Sequence, residues 1–250
     1  MILLTFNIIN SDFATKSGKE ISTEKRTEIS VKNVNSILRI LEIYDTKATF
    51  FVEISLCESL NPLIKKIVSK GHEISLYNQN SSLADIKTAK AYTEETIEKS
   101  VRGIRQKDIS ISLEELKNSE FSYVSNIENA NILFPLKKLQ RDTEIKETLG
   151  MSIIPESISP YSRIPYNDFT FQMIPQELYQ NMVIETLKRD EFVLIYLDSR
   201  QFTDFSEFPF QIPFYRKYNS GRKMEDKLET FLHWLNEKEL AVSRMKDYIF

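Results

Sequence analysis

The sequence predicts an α/β fold, a single domain over 1–250 built on a barrel-like parallel sheet of about seven or eight strands. Two observations carry this. Short apolar runs rich in β-formers alternate with longer segments of helical apolar spacing, the pattern of βαβ units and a parallel sheet. The 250 residues, 41% hydrophobic and 28% charged, suit one large domain that buries a sizeable core, and no repeat, low-complexity tract or linker breaks the alternation.

In chain order, Ile2 to Ile9 is an apolar run of strand length. A polar stretch from Asn10 to about Ser30 leads to a helix over Val31 to Tyr44, with Val31, Val34, Ile37, Leu38 and Leu41 on one face. Ala48 to Val52 is a strand, and Asn61 to Lys70 a helix stopped by Gly71. Glu73 to Tyr77 is a strand, Ser82 to Arg102 a mostly polar helix, and Val101 to Arg105 another strand. A short helix over Leu113 to Lys117 and a strand over Phe121 to Val124 follow. The middle, Asn126 to Tyr166, gives no clear period, and the prolines at Pro155 and Pro160 point to extended, loop-like chain. Pro175 to Arg189 is a helix with Leu178, Met182 and Leu187 along it, Phe192 to Leu197 a buried strand, and Gly221 to Leu235 an amphipathic helix. The last strand is near Ala241 to Ser243.

The composition excludes several classes. A formal net charge of -3 gives no electrostatic case for nucleic acid or an anionic membrane as partner. No apolar run approaches the roughly 20 residues of a membrane span. The start, Met1-Ile2-Leu3-Leu4-Thr5-Phe6, lacks a basic n-region and reads as a strand rather than a signal peptide. The one cysteine, Cys57, forms no intrachain disulfide, so a cytoplasmic location is expected. Five glycines argue against Gly-rich phosphate loops.

Sites in such folds lie at the C-terminal ends of strands, which selects Asn7 to Asn10, Val52 to Ser55, Tyr77 to Ser81, Arg105 to Asp108 and Asp198 to Gln201. At these ends stand Leu4-Thr5-Phe6-Asn7-Ile8, Lys47-Ala48-Thr49-Phe50-Phe51-Val52, Gly71-His72-Glu73-Ile74, Gly103-Ile104-Arg105 and Leu194-Ile195-Tyr196-Leu197-Asp198. In this order they resemble the motifs of the polysaccharide deacetylase superfamily (NodB homology, carbohydrate esterase family 4). Phe214-Tyr215-Arg216 through Gly221-Arg222 is similar to one subgroup. The resemblance implies a distorted (β/α) barrel of about seven strands. It also implies a hydrolase that removes acetyl groups from sugar polymers, with a zinc ion held by one Asp and two His, a second Asp as base and a late-strand His as acid.

Carried over residue by residue, the resemblance places the base at Asn7 and the metal Asp at Ile8. The two metal histidines fall on Tyr77, six residues after Gly71, and on Ser81, four further on. The acid falls on Asp198. A carboxamide is no general base near neutral pH, Ile8 has no donor atom, and phenol and hydroxyl oxygens are poor zinc ligands unless deprotonated. The expectation is therefore no metal and no cofactor. Independently, the chain holds two histidines. His72 precedes a strand, on the side away from the strand ends, and His233 lies on the polar face of its helix, so neither reaches the site.

Asp12, Asn7, Tyr77, Arg105, Asp108, Asp198 and Arg200 remain near that site. In the family the arginine matching Arg105 orients the base. Here it is expected to pair with Asp198 or Asp12; otherwise these residues are a solvated rim. Asp12, Tyr77, Arg105 and Asp198 are the candidate substrate-binding residues. A Phe-rich segment with Phe202, Phe205, Phe208, Phe210 and Phe214, together with Asp204 and Glu207, stacks on sugars, contacts a partner or caps the barrel. Tyr161, Arg163 and Tyr166 have the same ambiguity. Three functions stay open. One is a pseudoenzyme that binds a glycan or a glycan-processing protein. Another is an active deacetylase with a remodelled site using Asp198, Asp12 or Tyr77. The third is a scaffold that dimerises through the Phe-rich segment.

Overall fold

The structure, a computed structural model, describes residues 1–10, 21–107, 109–126, 143–206 and 212–249. Asp12, Asp108, Glu207, Phe208 and Phe210 lie outside the described residues. The elements in order are β1 (Ile2–Ile8), α1 (Thr23–Ile43), β2 (Thr49–Glu53), α2 (Asn61–Ser69), β3 (Glu73–Asn78), α3 (Leu83–Ile97), β4 (Gly103–Gln106), α4 (Leu113–Asn118) and β5 (Tyr123–Val124). Then come β6 (Lys146–Thr148), β7 (Met151–Ile153), α5 (Asp168–Met173), α6 (Gln176–Arg189), β8 (Val193–Asp198), α7 (Phe214–Lys217), α8 (Arg222–Glu237), β9 (Val242–Ser243) and α9 (Met245–Ile249).

The sheet order is β6-β7-β5-β4-β3-β2-β1-β8, with β9 also on β1. The run from β7 to β8 is parallel throughout, which is the expected barrel-like α/β sheet. Only β6 is antiparallel. Its hairpin to β7 turns on Leu149 and Gly150, at φ 55° and 69°. Positive φ at both turn positions matches a two-residue turn that follows the strand twist, made here without the usual Asn-Gly signal.

Strand alternation sorts side chains onto two faces. Ile2, Leu4, Phe6 and Ile8 join Val34, Ile37, Leu38 and Leu41 of α1 in the sheet–helix core. Leu3, Phe51, Tyr77, Tyr123, Ile154 and Leu194 pack together on the other face. That second cluster unites residues from both ends of the strand order, so the sheet curls into a half-barrel around it. Hydrogen bonds from Leu194 N to Ser157 Oγ (2.8 Å) and from Tyr196 Oη to Glu156 Oε1 (2.7 Å) hold the two ends together.

The N-terminal end of the strands is plugged by α9. Met245 N donates to Thr49 Oγ1 (2.9 Å) and Lys246 N to Glu73 Oε2 (3.1 Å). Tyr123 Oη also donates to Glu73 (2.9 Å), and burial raises the Glu73 carboxyl above its usual range. The C-terminal ends of the strands, where the site candidates stand, form the opposite end, the mouth of the half-barrel.

Several expectations change. Helix α1 starts at Thr23, capped by Ser22, because its first turns are polar and carry no apolar period. Helix α3 ends at Ile97, where Glu98 turns left-handed. Helix α5 was not expected. Leu178 is 53% exposed, and Tyr179, Met182, Val183 and Thr186 form the buried face of α6. Tyr166 is core rather than site: it is buried, and its hydroxyl donates to Met182 O (2.6 Å). The Phe-rich segment divides, with Phe202 buried against Phe6 and Phe214 77% exposed. No helix among the described residues is long and apolar enough to cross a membrane.

Candidate functional site

At the mouth, Arg105 is fully buried at the end of β4. Its Nη1 donates to Asn7 Oδ1 (2.7 Å) and Thr5 Oγ1 (3.1 Å), and Nη2 donates to Thr5 Oγ1 (3.1 Å) and Ser125 Oγ (3.0 Å). Nε also donates to Ser125 Oγ (3.2 Å). The guanidinium carbon lies 3.9 Å from the centroid of Phe51. Burial lowers the pKa of Arg105 to about 10, which leaves it charged at neutral pH. Among the described residues, every hydrogen bond it makes goes to a neutral oxygen. The expected Arg105–Asp198 pair is not formed, because Asp198 faces a different cation.

Asp198 ends β8, opposite Asn7 in the β1–β8 register. Its Oδ1 accepts from Arg200 N (2.9 Å), and its Oδ2 accepts from Arg200 Nε (2.9 Å) and Nη2 (2.6 Å). Asp198 thereby caps the 3₁₀ turn Ser199–Phe202. A short cap and a charge-assisted pair on one carboxylate absorb its acceptor capacity.

Tyr77 is buried beside Arg105 in the β3–β4 register. Burial, and then the Asp198 charge, push its phenol well above the usual range, so it stays protonated. Ile8 points into the sheet–helix core, on the face away from the barrel interior. Ser81 lines a separate groove with Cys57, Asp85 and Tyr92, between α3 and the turn Ile54–Leu56. The structure thus brings together Asn7, Arg105, Tyr77 and Asp198, and leaves Ile8 and Ser81 apart from them.

These positions do not fit a divalent metal. One has no donor, one is a phenol held protonated, and one opens on another groove. No group of three or more His, Cys, Asp or Glu among the described residues is placed to hold an ion. His72 is buried, and its Nδ1 accepts from Ala48 N (3.2 Å), which assigns the proton to Nε2. Burial lowers its pKa to about 4. His233 is exposed on α8.

Sequence reasoning missed Asp168. It is the first residue of α5, held there by the Asn167 cap, and it lines a pocket of about 230 Å³ with Asp198, Arg200, Phe205, Tyr215 and Arg216. Burial and the neighbouring Asp198 charge raise its carboxyl to about 6. The only local signal was Asn167-Asp168 as a cap, which says nothing of a site.

No family model matches the chain, and no curated protein does. Solved structures do match over nearly its whole length. A probable polysaccharide deacetylase from Pseudomonas aeruginosa PAO1 shares 13% identity at a TM-score of 0.62, covering 98% of this chain and 88% of its own. Puue allantoinase shares 12% at 0.64, covering 98% and 87%. BA3943, a carbohydrate esterase family 4 pseudoenzyme from Bacillus anthracis, shares 13% at 0.53; 99% of this chain is covered, and the chain spans 64% of that protein's length. The fold of this chain is accordingly the one these solved structures share, the distorted (β/α) barrel that its strand-end motifs implied.

Proposed function

We propose that this chain is a polysaccharide deacetylase-like protein that has given up metal-dependent hydrolysis and binds a glycan, or a glycan-processing partner, at the barrel mouth. One observation carries the reading. The residue at the base position, Asn7, is a carboxamide whose oxygen is held by Arg105 at 2.7 Å. It cannot take up a proton near neutral pH, and its oxygen already accepts from a guanidinium. The donor chemistry at Ile8, Tyr77 and Ser81 supports it. A pseudoenzyme on this fold has a precedent in the Bacillus anthracis protein, a mutant of which has restored enzymatic activity. A cytoplasmic placement fits the lone Cys57, buried and free.

The test is calorimetric zinc titration together with acetate release from a panel of N-acetylated and O-acetylated oligosaccharides. The expected result is no stoichiometric zinc binding and no release above background, with measurable binding of at least one oligosaccharide. Tight one-to-one zinc binding, or turnover, overturns the reading.

A second reading, an active remodelled site, is favoured by one observation: the Asp168 carboxyl, raised to about 6, titrates where a general acid or base works best. Turnover lost in Asp168→Asn supports it; inactivity across the panel removes it.

A further inference from the structure

The acids at the mouth are not equally served. Asp198 is compensated by Arg200, at 2.6 Å. Glu156 accepts from Tyr196, and Glu53 from Asn10 N, Ser55 and Gln79. Asp168 differs. Among the described residues its carboxylate accepts from the Phe169 backbone alone and meets no cationic side chain at hydrogen-bonding distance. It is only partly covered and borders the pocket.

The surroundings define what fits there. Burial first, and then the Asp198 charge, disfavour its ionised form, while Arg200 and Arg216, the latter in solvent on α7, favour it from beyond hydrogen-bonding distance. A desolvated carboxylate with no cation at hydrogen-bonding distance is expensive to keep and gains from an incoming one. Arg200 is already engaged by Asp198 on its Nε and Nη2. Beside Asp168 stand Phe169, the half-buried Phe205 and Tyr215, which is 44% exposed. Such rings offer flat apolar faces to a sugar and favour an adjacent cation. The volume, about 230 Å³, falls below the roughly 300–1,000 Å³ of drug-sized sites and suits a single ring.

We infer that this pocket takes an amino sugar with a free ammonium group: the ammonium meets Asp168, and the ring lies against the Phe205–Tyr215 wall. The sugar half of the assignment rests on the glycan-binding reading above, and the ammonium half rests on Asp168. The pocket then selects a glycan whose amino groups carry no acetyl, which is the product of a deacetylase rather than its substrate. An acetylated nitrogen offers a neutral N–H to the carboxylate and leaves the charge uncompensated.

Calorimetry on the full chain with two probes, a glucosamine tetramer and its fully N-acetylated counterpart, tests this at about pH 6.5, where most of the Asp168 carboxyl is ionised. The amino tetramer is expected to bind about tenfold tighter or more. Asp168→Asn, nearly isosteric, removes that preference while leaving the acetylated tetramer within about twofold. Tyr215→Ala, a surface change, weakens both probes alike. Equal affinity for the two tetramers, or a preference that survives Asp168→Asn, overturns the amino-sugar assignment and leaves glycan binding standing. Binding of neither tetramer overturns both.

Discussion

Arg105 Nη1 lies 2.7 Å from Asn7 Oδ1, and among the described residues neither has a hydrogen-bonded carboxylate partner. The guanidinium is fully buried, and among the described residues it donates to Thr5, Ser125 and Asn7, with the Phe51 and Tyr196 rings 3.9 and 5.3 Å away. Restoring a carboxylate at position 7 therefore adds a counter-charge whose partner is in place. Asn7→Asp is expected to raise stability at neutral pH by about 1–2 kcal/mol, after the cost of burying the new carboxylate. The new carboxyl is held below its usual pKa, so the gain is present at neutral pH and lost as pH falls through that lowered value. Chemical denaturation at neutral and acid pH reads this. A loss at neutral pH means that Glu156 or Glu73 already compensates Arg105 through the intervening tyrosines.

Asp168 works in the opposite sense. Its folded pKa of about 6 stands above the ordinary 3.8, so the native state binds a proton more readily than the unfolded chain. Stability from this group is full at low pH and falls as pH rises from about 4 to about 6. The groups that face it are Asp198 and Arg200 at the end of β8, Arg216 on α7, and the tyrosines Tyr77 and Tyr196. Asp168→Asn should gain roughly 1–3 kcal/mol near neutral pH and almost nothing at the acid end. Urea midpoints across that range decide it. A residue that weakens the fold at neutral pH fits a site kept for binding rather than for packing.

His72 sets an acid limit. Its folded pKa, about 4, lies below the ordinary 6.5 because burial and the nearby Lys47 disfavour the charged ring. Below the ordinary value the unfolded chain takes up the proton first, so stability falls as pH drops from about 6.5 to about 4, by up to about 3 kcal/mol. Protonation also removes the acceptor used by Ala48 N. His72→Gln should flatten this part of the stability–pH curve. An unchanged slope assigns the acid sensitivity to other groups.

Gly103 has no room for a side chain. A Cβ built there meets Tyr123 Cζ at 2.0 Å, and Tyr123 is itself pinned by Glu73 and Ser75. Gly103→Ala is expected to cost about 3 kcal/mol or more, or to prevent folding, since neither the ring nor strand β5 can yield cheaply. Soluble yield and denaturant midpoint measure it. A loss under about 1 kcal/mol shows that the ring moves freely.

Much of this was legible before the structure. Strands β1, β2, β3 and β8 are buried almost throughout, and the apolar runs of β1 and β8 stand out without reference to period. Only in the structure does Leu3 face the barrel interior and Leu4 face α1. Edge strand β6 and helix α5 were not legible, because Lys146–Thr148 is fully exposed and α5 spans six residues. The polar first turns of α1 were missed for a similar reason: hydrophobic period reports the buried part of a helix, not its whole length. In the site, the unsuitability of Ile8 as a metal ligand was plain from its side chain alone.

What the sequence determined by itself is chemical identity at the strand ends. Asn7 is a carboxamide, Ile8 an aliphatic side chain, Tyr77 a phenol and Ser81 a hydroxyl, none of them a ready metal ligand or general base, and alternation along β1 sends Asn7 and Ile8 to opposite faces. The tertiary structure decided which of these groups meet. Arg105 reached Asn7 across 98 residues of chain rather than Asp198, because Asp198 is claimed by Arg200 two residues away. Asp168 came beside Asp198 because the curled sheet brings the start of α5 to the end of β8. Local spacing sets the period of an element, but pairing between distant side chains depends on burial and competition for partners, which exist only once the chain has closed on itself.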